Sequence, residues 1–265
     1  MSFHEPYFDI KAISNSALGN IDKSYSYWEY RENTPIDREN FDKDNPNNPT
    51  VATLLGSAFH ELVLEPKKFK REESETKTIC AKYMREDFEK GAEKLLFGQM
   101  EKVKKMEKVL REHPVGKDIF SRAKKEQSIF FYYKGVKCKS KIDWVNKKRK
   151  LIRDLKTIDK LENIDRAIFN YGYFRQATFY QLACYYEYGE FFDFEFVFVS
   201  KDFVDVKVVK MGDDWFRLGM REVDRLLDVY KSFESGYETF KGAYGKVETS
   251  NPKEWQINLT GGELE

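Results

Sequence analysis

Asp143, Asp154 and Lys156 fall inside one stretch of twenty residues, KIDWVNKKRKLIRDLKTIDK (141–160), within two short runs that otherwise read as core strands. Side chains on a strand alternate between its faces. In KLIRDLKT, Ile152, Asp154 and Lys156 therefore share one face, while Leu151, Arg153 and Leu155 share the other. A tight turn centred on Lys148 and Arg149 sets position 143 opposite position 154. Opposed residues of an antiparallel pair point the same way, with Cβ atoms about 4.5–5.5 Å apart. Two ionised carboxylates so placed repel each other, and a shared proton, a cationic side chain or a metal ion must compensate. Lys156 supplies one positive charge. A hard divalent cation supplies the rest, since Mg²⁺ favours carboxylate oxygens in octahedral geometry. The pairing depends on register: a slip of one residue sends the two acids to opposite faces.

Four further residues have types and spacing suited to the same chemistry. His60 lies in TLLGSAFHELVLEP (53–66), one turn after Gly56, whose missing side chain leaves room for a phosphate or a metal. Imidazole is an uncommon Mg²⁺ ligand and suits Mn²⁺ better. Gln176 and Tyr180, in RQATFYQLA, are four apart and share a helix face. Glu126, in KEQSIFF, is a further acidic residue at the start of a strand run.

The elements that position these residues follow from periodicity. Ser14 or Asn15 caps a helix through Leu18 and Ile21, and a second, aromatic helix starts near Ser24. FDKDNPNNPT (41–50) has loop composition. In 53–66, Leu54, Leu55, Ala58, Phe59, Leu62 and Val63 make one buried helix face, and Pro66 ends it. Residues 67–96 read as charged, irregular surface. A helix over 98–114 turns Val103, Met106 and Leu110 inward and ends at Pro114. From 126 the period changes to two. QSIFFYYKG and VKCKSKIDWV form a hairpin around Gly135, and KLIRDLKT is the third strand. A helical region over 162–189, broken near Gly172, leads to strands FFDFEFVFVS and FVDVKVVKM, and then to a closing helix capped by Asp213 or Asp214. This order predicts an α/β fold with a mixed central sheet.

Composition sets the outer limits. With 41% hydrophobic and 16% aromatic residues, 265 residues can build a substantial core. The 46 basic residues nearly cancel the 45 acidic ones, so only local clustering can argue for nucleic acid. Cys80, Cys138 and Cys184 show no C-x-x-C spacing and read as residues of a reduced compartment. No apolar run approaches the roughly 20 residues that cross a bilayer. A cytoplasmic protein without membrane partners is expected.

The pair IDW and DLKT resembles the PD-(D/E)xK nuclease motif, through Ile142–Asp143 and Asp154–Leu155–Lys156. LLGSAFHELVLEP resembles the upstream histidine motif of the RecE/RecB-type branch, with His60 as its histidine, and RQATFYQLA resembles its Q-x-x-x-Y motif. ISNSALGNIDKSYSYWEY is similar to the N-terminal segment of phage-type, exonuclease-VIII-like proteins. The motifs fall in family order over residues 13–200. Departures are Asp rather than Glu before the Leu155–Lys156 dipeptide and the missing proline before Asp143.

The resemblance implies a restriction-endonuclease-like core with a helical N-terminal extension, as one nuclease domain over 1–265. Within it, 1–125 is mainly helical and carries the histidine, 126–212 holds the sheet and the Q-x-x-x-Y helix, and 213–265 is a closing helix and tail. It implies a Mg²⁺- or Mn²⁺-dependent exonuclease on linear double-stranded DNA, yielding single strands for recombination. An endonuclease and a silent nucleic-acid-binding module remain the alternatives. A metal would be held by His60, Asp143, Asp154 and the Leu155 carbonyl. Lys156 would activate water, with Gln176, Tyr180 and Glu126 beside it. The three cysteines disfavour the iron–sulfur-bearing relatives, whose cluster takes four. Partners implied are DNA ends, a single-strand annealing protein, and further copies in a ring-shaped trimer or tetramer. Nine basic residues between Lys134 and Arg153 would then form a phosphate track, with Lys139, Lys141, Arg153 and Arg175 the expected DNA contacts.

Overall fold

The computed structural model describes residues 7, 10–34, 51–67, 69, 92–121, 123–202 and 205–236. Lys134 and Gly135 both take positive φ, 50° and 80°, in the two-residue turn whose twist matches that of paired strands. They join β1 (Lys124–Tyr133) to β2 (Val136–Asn146), which pair antiparallel from Tyr133–Val136 down to Lys124–Val145. A four-residue turn at 147–150 leads into β3 (Leu151–Ile158). There Asn146 Oδ1 accepts from the Arg149 amide at 3.0 Å, which fixes the loop length and hence the register.

The β2–β3 ladder is short: Asn146–Leu151, Val145–Ile152 and Trp144–Arg153 pair, and the two strands then fork. Beyond the fork, β2 takes a different neighbour. Ile13 donates its amide to the Lys137 carbonyl at 2.9 Å and accepts from the Lys139 amide at 2.8 Å. On its other side β3 runs parallel to β4 (Asp193–Ser200), which pairs antiparallel with β5 (Val206–Lys210). The order is β1-β2-β3-β4-β5.

Helices cover both faces. On one lie α1 (Asn15–Lys23), α7 (Tyr173–Tyr188) and α8 (Asp213–Glu234), against Ile152, Phe194, Phe196 and Phe198. On the other lie α3 (Val51–Leu64), α4 (Ala92–Glu112) and α5 (Pro114–Ile119), against Leu155, Val197 and Val199. Between them in sequence come α2 (Tyr25–Asn33) and α6 (Ile164–Asn170). The caps are chemical: Ser14 and Ser24 accept from the amides of Ala17 and Tyr27. The long helical region does break at Gly172, which has φ of 63°, and Gly189 in the left-handed region ends α7.

Several boundaries differ from the sequence reading: α3 runs Val51–Leu64 rather than 53–66, and β1 begins at Lys124 rather than 126. Helix α4 begins at Ala92 rather than 98. Pro114 opens α5 rather than only closing α4, because proline fits the first helical turn and His113 Nδ1 accepts from the Val115 amide. Gly212 is the cap of α8, with Asp213 and Asp214 in its first turn, where carboxylates favour the positive end of the helix. The expected loop at 41–50, Cys80 and most of 67–96 lie outside the described residues; Cys138 and Cys184 are buried thiols. Among the described residues no helix is long and apolar enough to cross a membrane.

The layer that carries α7 is fixed by a close helix crossing. A Cβ added at Gly219 of α8 would stand 2.7 Å from Thr178 Cβ and 2.9 Å from the Phe174 carbonyl oxygen of α7. Gly219→Ala must push the helices apart, and urea unfolding should show a loss of about 1–3 kcal/mol, as overpacking does; an unchanged midpoint would show that the crossing is loose.

Candidate active site at the strand fork

The last β2–β3 pair is Trp144–Arg153, so the next positions in register are Asp143 and Asp154, as the turn length predicts. Here the ladder gives way to side chains. The Leu155 amide donates to Asp143 Oδ2 at 2.8 Å, in place of a β2 carbonyl. Amide and carbonyl of one strand residue leave on the same side, so the Leu155 carbonyl opens into the fork too. From the α3 side, His60 brings Nδ1 to 3.5 Å from Asp143 Oδ2. From the α7 side, Gln176 Nε2 donates to Asp154 Oδ1 at 3.0 Å and to the Tyr180 hydroxyl at 3.1 Å. The Lys156 ammonium is in ion contact with Asp154 Oδ2. Asp154 Oδ2 is a buried oxygen with no hydrogen-bond partner besides that ion contact.

Glu126 joins from β1. Lys125–Trp144 and Gln127–Ile142 bracket it, which sets it across from Asp143. Its φ is 51°, unusual for a strand residue, and its Oε2 lies 2.6 Å from Lys141 Nζ. Acids on three adjacent strands thus stand in one row.

Charge is the main energetic fact of this row. Burial pushes the Asp143 carboxyl well above the usual carboxylate range, and Asp154 and Glu126 add to the rise against Lys156. Burial opposes the Lys156 charge, yet Asp154 and Asp143 outweigh it and hold the ammonium above its ordinary value. Burial, with Lys156 beside it, pushes His60 down to about 4. The imidazole is therefore neutral at pH 7, with a lone pair to offer, while 29% of the side chain still meets solvent. Burial also raises the Tyr180 phenol, which stays protonated.

Among the described residues, no three His, Cys, Asp or Glu side chains stand close enough, as they lie, to hold one ion; the cation against Asp154 is Lys156. The donor chemistry nonetheless fits a hard divalent cation. Two carboxylates, a neutral imidazole and a strand carbonyl face one fork, and Asp154 Oδ2 is a buried oxygen lacking a hydrogen bond.

Residues 31–248 match the model of a family described as a PDDEXK-like domain of unknown function (DUF3799). The chain belongs to this PDDEXK-like family. It is similar in fold to the crystal structure of a protein described as a "putative exonuclease" from Eubacterium rectale, with TM-score 0.68 and 15% identity over 99% of this chain and 97% of that one. A solved structure of SSO0001 matches over 71% of this chain and 79% of that one, at 14% identity and TM-score 0.31, too low to bear on the fold. No curated protein matches. Nucleases of the PDDEXK kind generally use divalent metal ions.

The basic residues of this PDDEXK-like chain are not arranged as its sequence suggests. Arg153 is buried on the face opposite Asp154. It bridges Asp118 and Glu195, each at 2.8 Å, and lies over the Trp144 ring, so it is an internal ion bridge and not a DNA contact. Arg175 is likewise buried, hydrogen-bonded to Asn15 and near Asp22 and Glu222, and it ties α7 to α1 and α8. Lys141 pairs with Glu126, and Lys139 donates to the carbonyls of Tyr7 and Ile10. Of the nine, Lys134 and Lys137 lie at one end of the 11-residue β2 and residues 147–150 at the other, about 33 Å apart. Gly56 faces β3: a Cβ there would meet Thr157 Oγ1 at 3.4 Å, an ordinary van der Waals contact.

Tyr173 is a site neighbour that sequence reasoning missed. Its ring centroid is 5.0 Å from Lys156 Nζ. Positions 173, 176 and 180 share one face of α7, so extending the Q-x-x-x-Y spacing one turn upstream would have found it.

A raised carboxyl means that the folded chain binds more protons at Asp143 than the unfolded chain does. Its contribution to stability is full below the ordinary carboxylate pKa and is lost as pH rises through the raised value. Without added divalent ions, Asp143→Asn should therefore stabilise the fold at pH 7. The gain should vanish near pH 3. Urea unfolding at both pH values checks this; a destabilised variant at pH 7 would contradict the assigned strain.

Proposed function

We propose that this chain is a metal-dependent DNA exonuclease that hydrolyses phosphodiester bonds at the ends of linear double-stranded DNA and leaves single strands for recombination. The observation that carries the reading is the fork itself: Asp143, Asp154 and Lys156 meet at one break in the sheet, in a chain of the PDDEXK-like family. The fold likeness to the protein described as an exonuclease supports the exonuclease form of the reading.

Asp143, Asp154, the Leu155 carbonyl and His60 would hold Mg²⁺ or Mn²⁺. Such an ion, when bound, neutralises charge developing on phosphate oxygens and lowers the pKa of bound water. The chain's own residues do the rest. Gln176 grips Oδ1 of Asp154 and fixes which carboxylate edge faces the fork. Tyr180 holds that amide in turn. Lys156, kept protonated by the two acids, leans on Asp154 and can swing to a phosphate oxygen or to the attacking water. Neutral His60 adds no positive charge against the cation. An annealing partner and a ring of further copies belong to this reading.

Asp154→Asn should abolish cleavage of linear duplex in Mg²⁺ or Mn²⁺ while circular dichroism shows an intact fold; an active variant would remove the metal-site assignment. Lys156→Ala should lower turnover by roughly 10²-fold or more with divalent-ion binding retained in calorimetry. Substrate form separates the alternatives. Degradation of linear duplex alone supports the exonuclease, cutting of closed circles makes it an endonuclease, and DNA binding without cleavage makes it a silent module.

A further inference from the structure

The β1–β2 hairpin runs well past the fork, and its free length has two unlike faces. Ile129, Phe131, Cys138 and Ser140 are buried, while Phe130, Tyr132 and Lys137 are exposed and Ser128, Lys139 and Lys141 half-buried. The register couples the open positions in rows: Tyr132 beside Lys137, Phe130 beside Lys139, and Ser128 beside Lys141. Next in line come Glu126 and Asp143, the acids of the fork. Tyr132 keeps 64% of its surface open and Phe130 keeps 39%. At the middle row Lys139 is held by the carbonyls of Tyr7 and Ile10, and the buried Tyr7 ring lies 5.9 Å from that of Phe130.

We propose that this face of the hairpin is a single-stranded DNA platform, on which unpaired bases stack on Tyr132 and Phe130 while Lys137 meets the phosphates of a strand running to or from the fork. The inference rests on the nuclease reading and names where one strand of that substrate lies. Aromatic rings alternating with ammonium groups along a surface are what an unpaired strand needs, because every base has a π-face and every linkage a negative charge. Continuity fixes the occupant further: from Lys137 to Asp143 is about 20 Å of extended strand, ending at the candidate catalytic acids. A protein partner seeking an apolar patch would meet lysine in each aromatic row.

The test is equilibrium binding of fluorescein-labelled (dT)20, measured by anisotropy without divalent ions. Tyr132→Ala should weaken binding about 5- to 100-fold, and Tyr132→Phe, which keeps the ring, should restore it. Lys137→Gln should lower the slope of log K against log salt by about 0.7, as expected for one lost phosphate contact on a single strand. Wild-type affinity and slope in both variants would overturn the platform, as would a light-scattering change of oligomeric state with unchanged DNA affinity, which would make the face a protein interface. Cleavage of linear duplex by the unaltered chain reports on the nuclease reading separately. A chain that cuts, but whose Tyr132→Ala variant binds (dT)20 normally, keeps that reading and loses this one. A chain that binds no DNA loses both.

Discussion

The whole site depends on a hydrogen bond that replaces a rung of the sheet. Where β2 and β3 separate, the Leu155 amide would face a gap, and a buried amide without an acceptor costs roughly 1–3 kcal/mol. Asp143 Oδ2 fills that role at 2.8 Å. The carboxylate thus does structural work by closing the ladder's end, and the fork stays open for the rest of its surface. A regular ladder would have left no gap for a side chain from either helical layer to enter.

Each layer then contributes through its own seating. Helix α3 packs on β3 with Gly56 beside Thr157, and it brings His60 to the Asp143 edge of the fork. On the other face, the α7–α8 crossing at Gly219 and Thr178 and the Arg175 bridges hold α7, which delivers Gln176 to Asp154. Ile13 takes up the β2 edge that β3 abandons, so the divergence costs β2 few backbone hydrogen bonds. The helix-to-strand contacts that look like ordinary packing set the positions of the groups that could do chemistry.

Much of this was legible because turns fix register. A four-residue turn between two strands leaves one pairing, and it sets Asp143 across from Asp154 without any knowledge of tertiary contacts. Helix breaks at Gly172 and caps at Ser14 and Ser24 were legible for the same local reasons. The family likeness, carried by short motifs in order, agrees with the family match. What could not be read was the use of each cation. Arg153 and Arg175 have the composition of a DNA contact, but their partners, Asp118, Glu195, Asp22 and Glu222, come from distant segments that periodicity does not bring together. Alternation alone did assign Arg153 to the face away from Asp154, and that local rule outweighs charge clustering when the two conflict.

The electrostatics of the fork run against the interest of the fold. Three acids on adjacent strands, two of them buried, are held near one another by two lysines and an amide. Replacing such a group by a neutral one of the same shape removes repulsion and loses little packing, so stability gives no reason for this arrangement. A buried carboxyl driven above its usual range, beside a second buried carboxylate, instead describes a place where a further positive charge would be held strongly. Lys156 meets part of that demand from within the chain. In the proposed function an ammonium on four methylenes would be able to leave Asp154 and follow a phosphate once another cation held the acids. An arginine in its place would lose that freedom, since its planar fork would lock onto both carboxylate oxygens. The ion pair is therefore best understood as a held reserve of charge rather than as a structural tie.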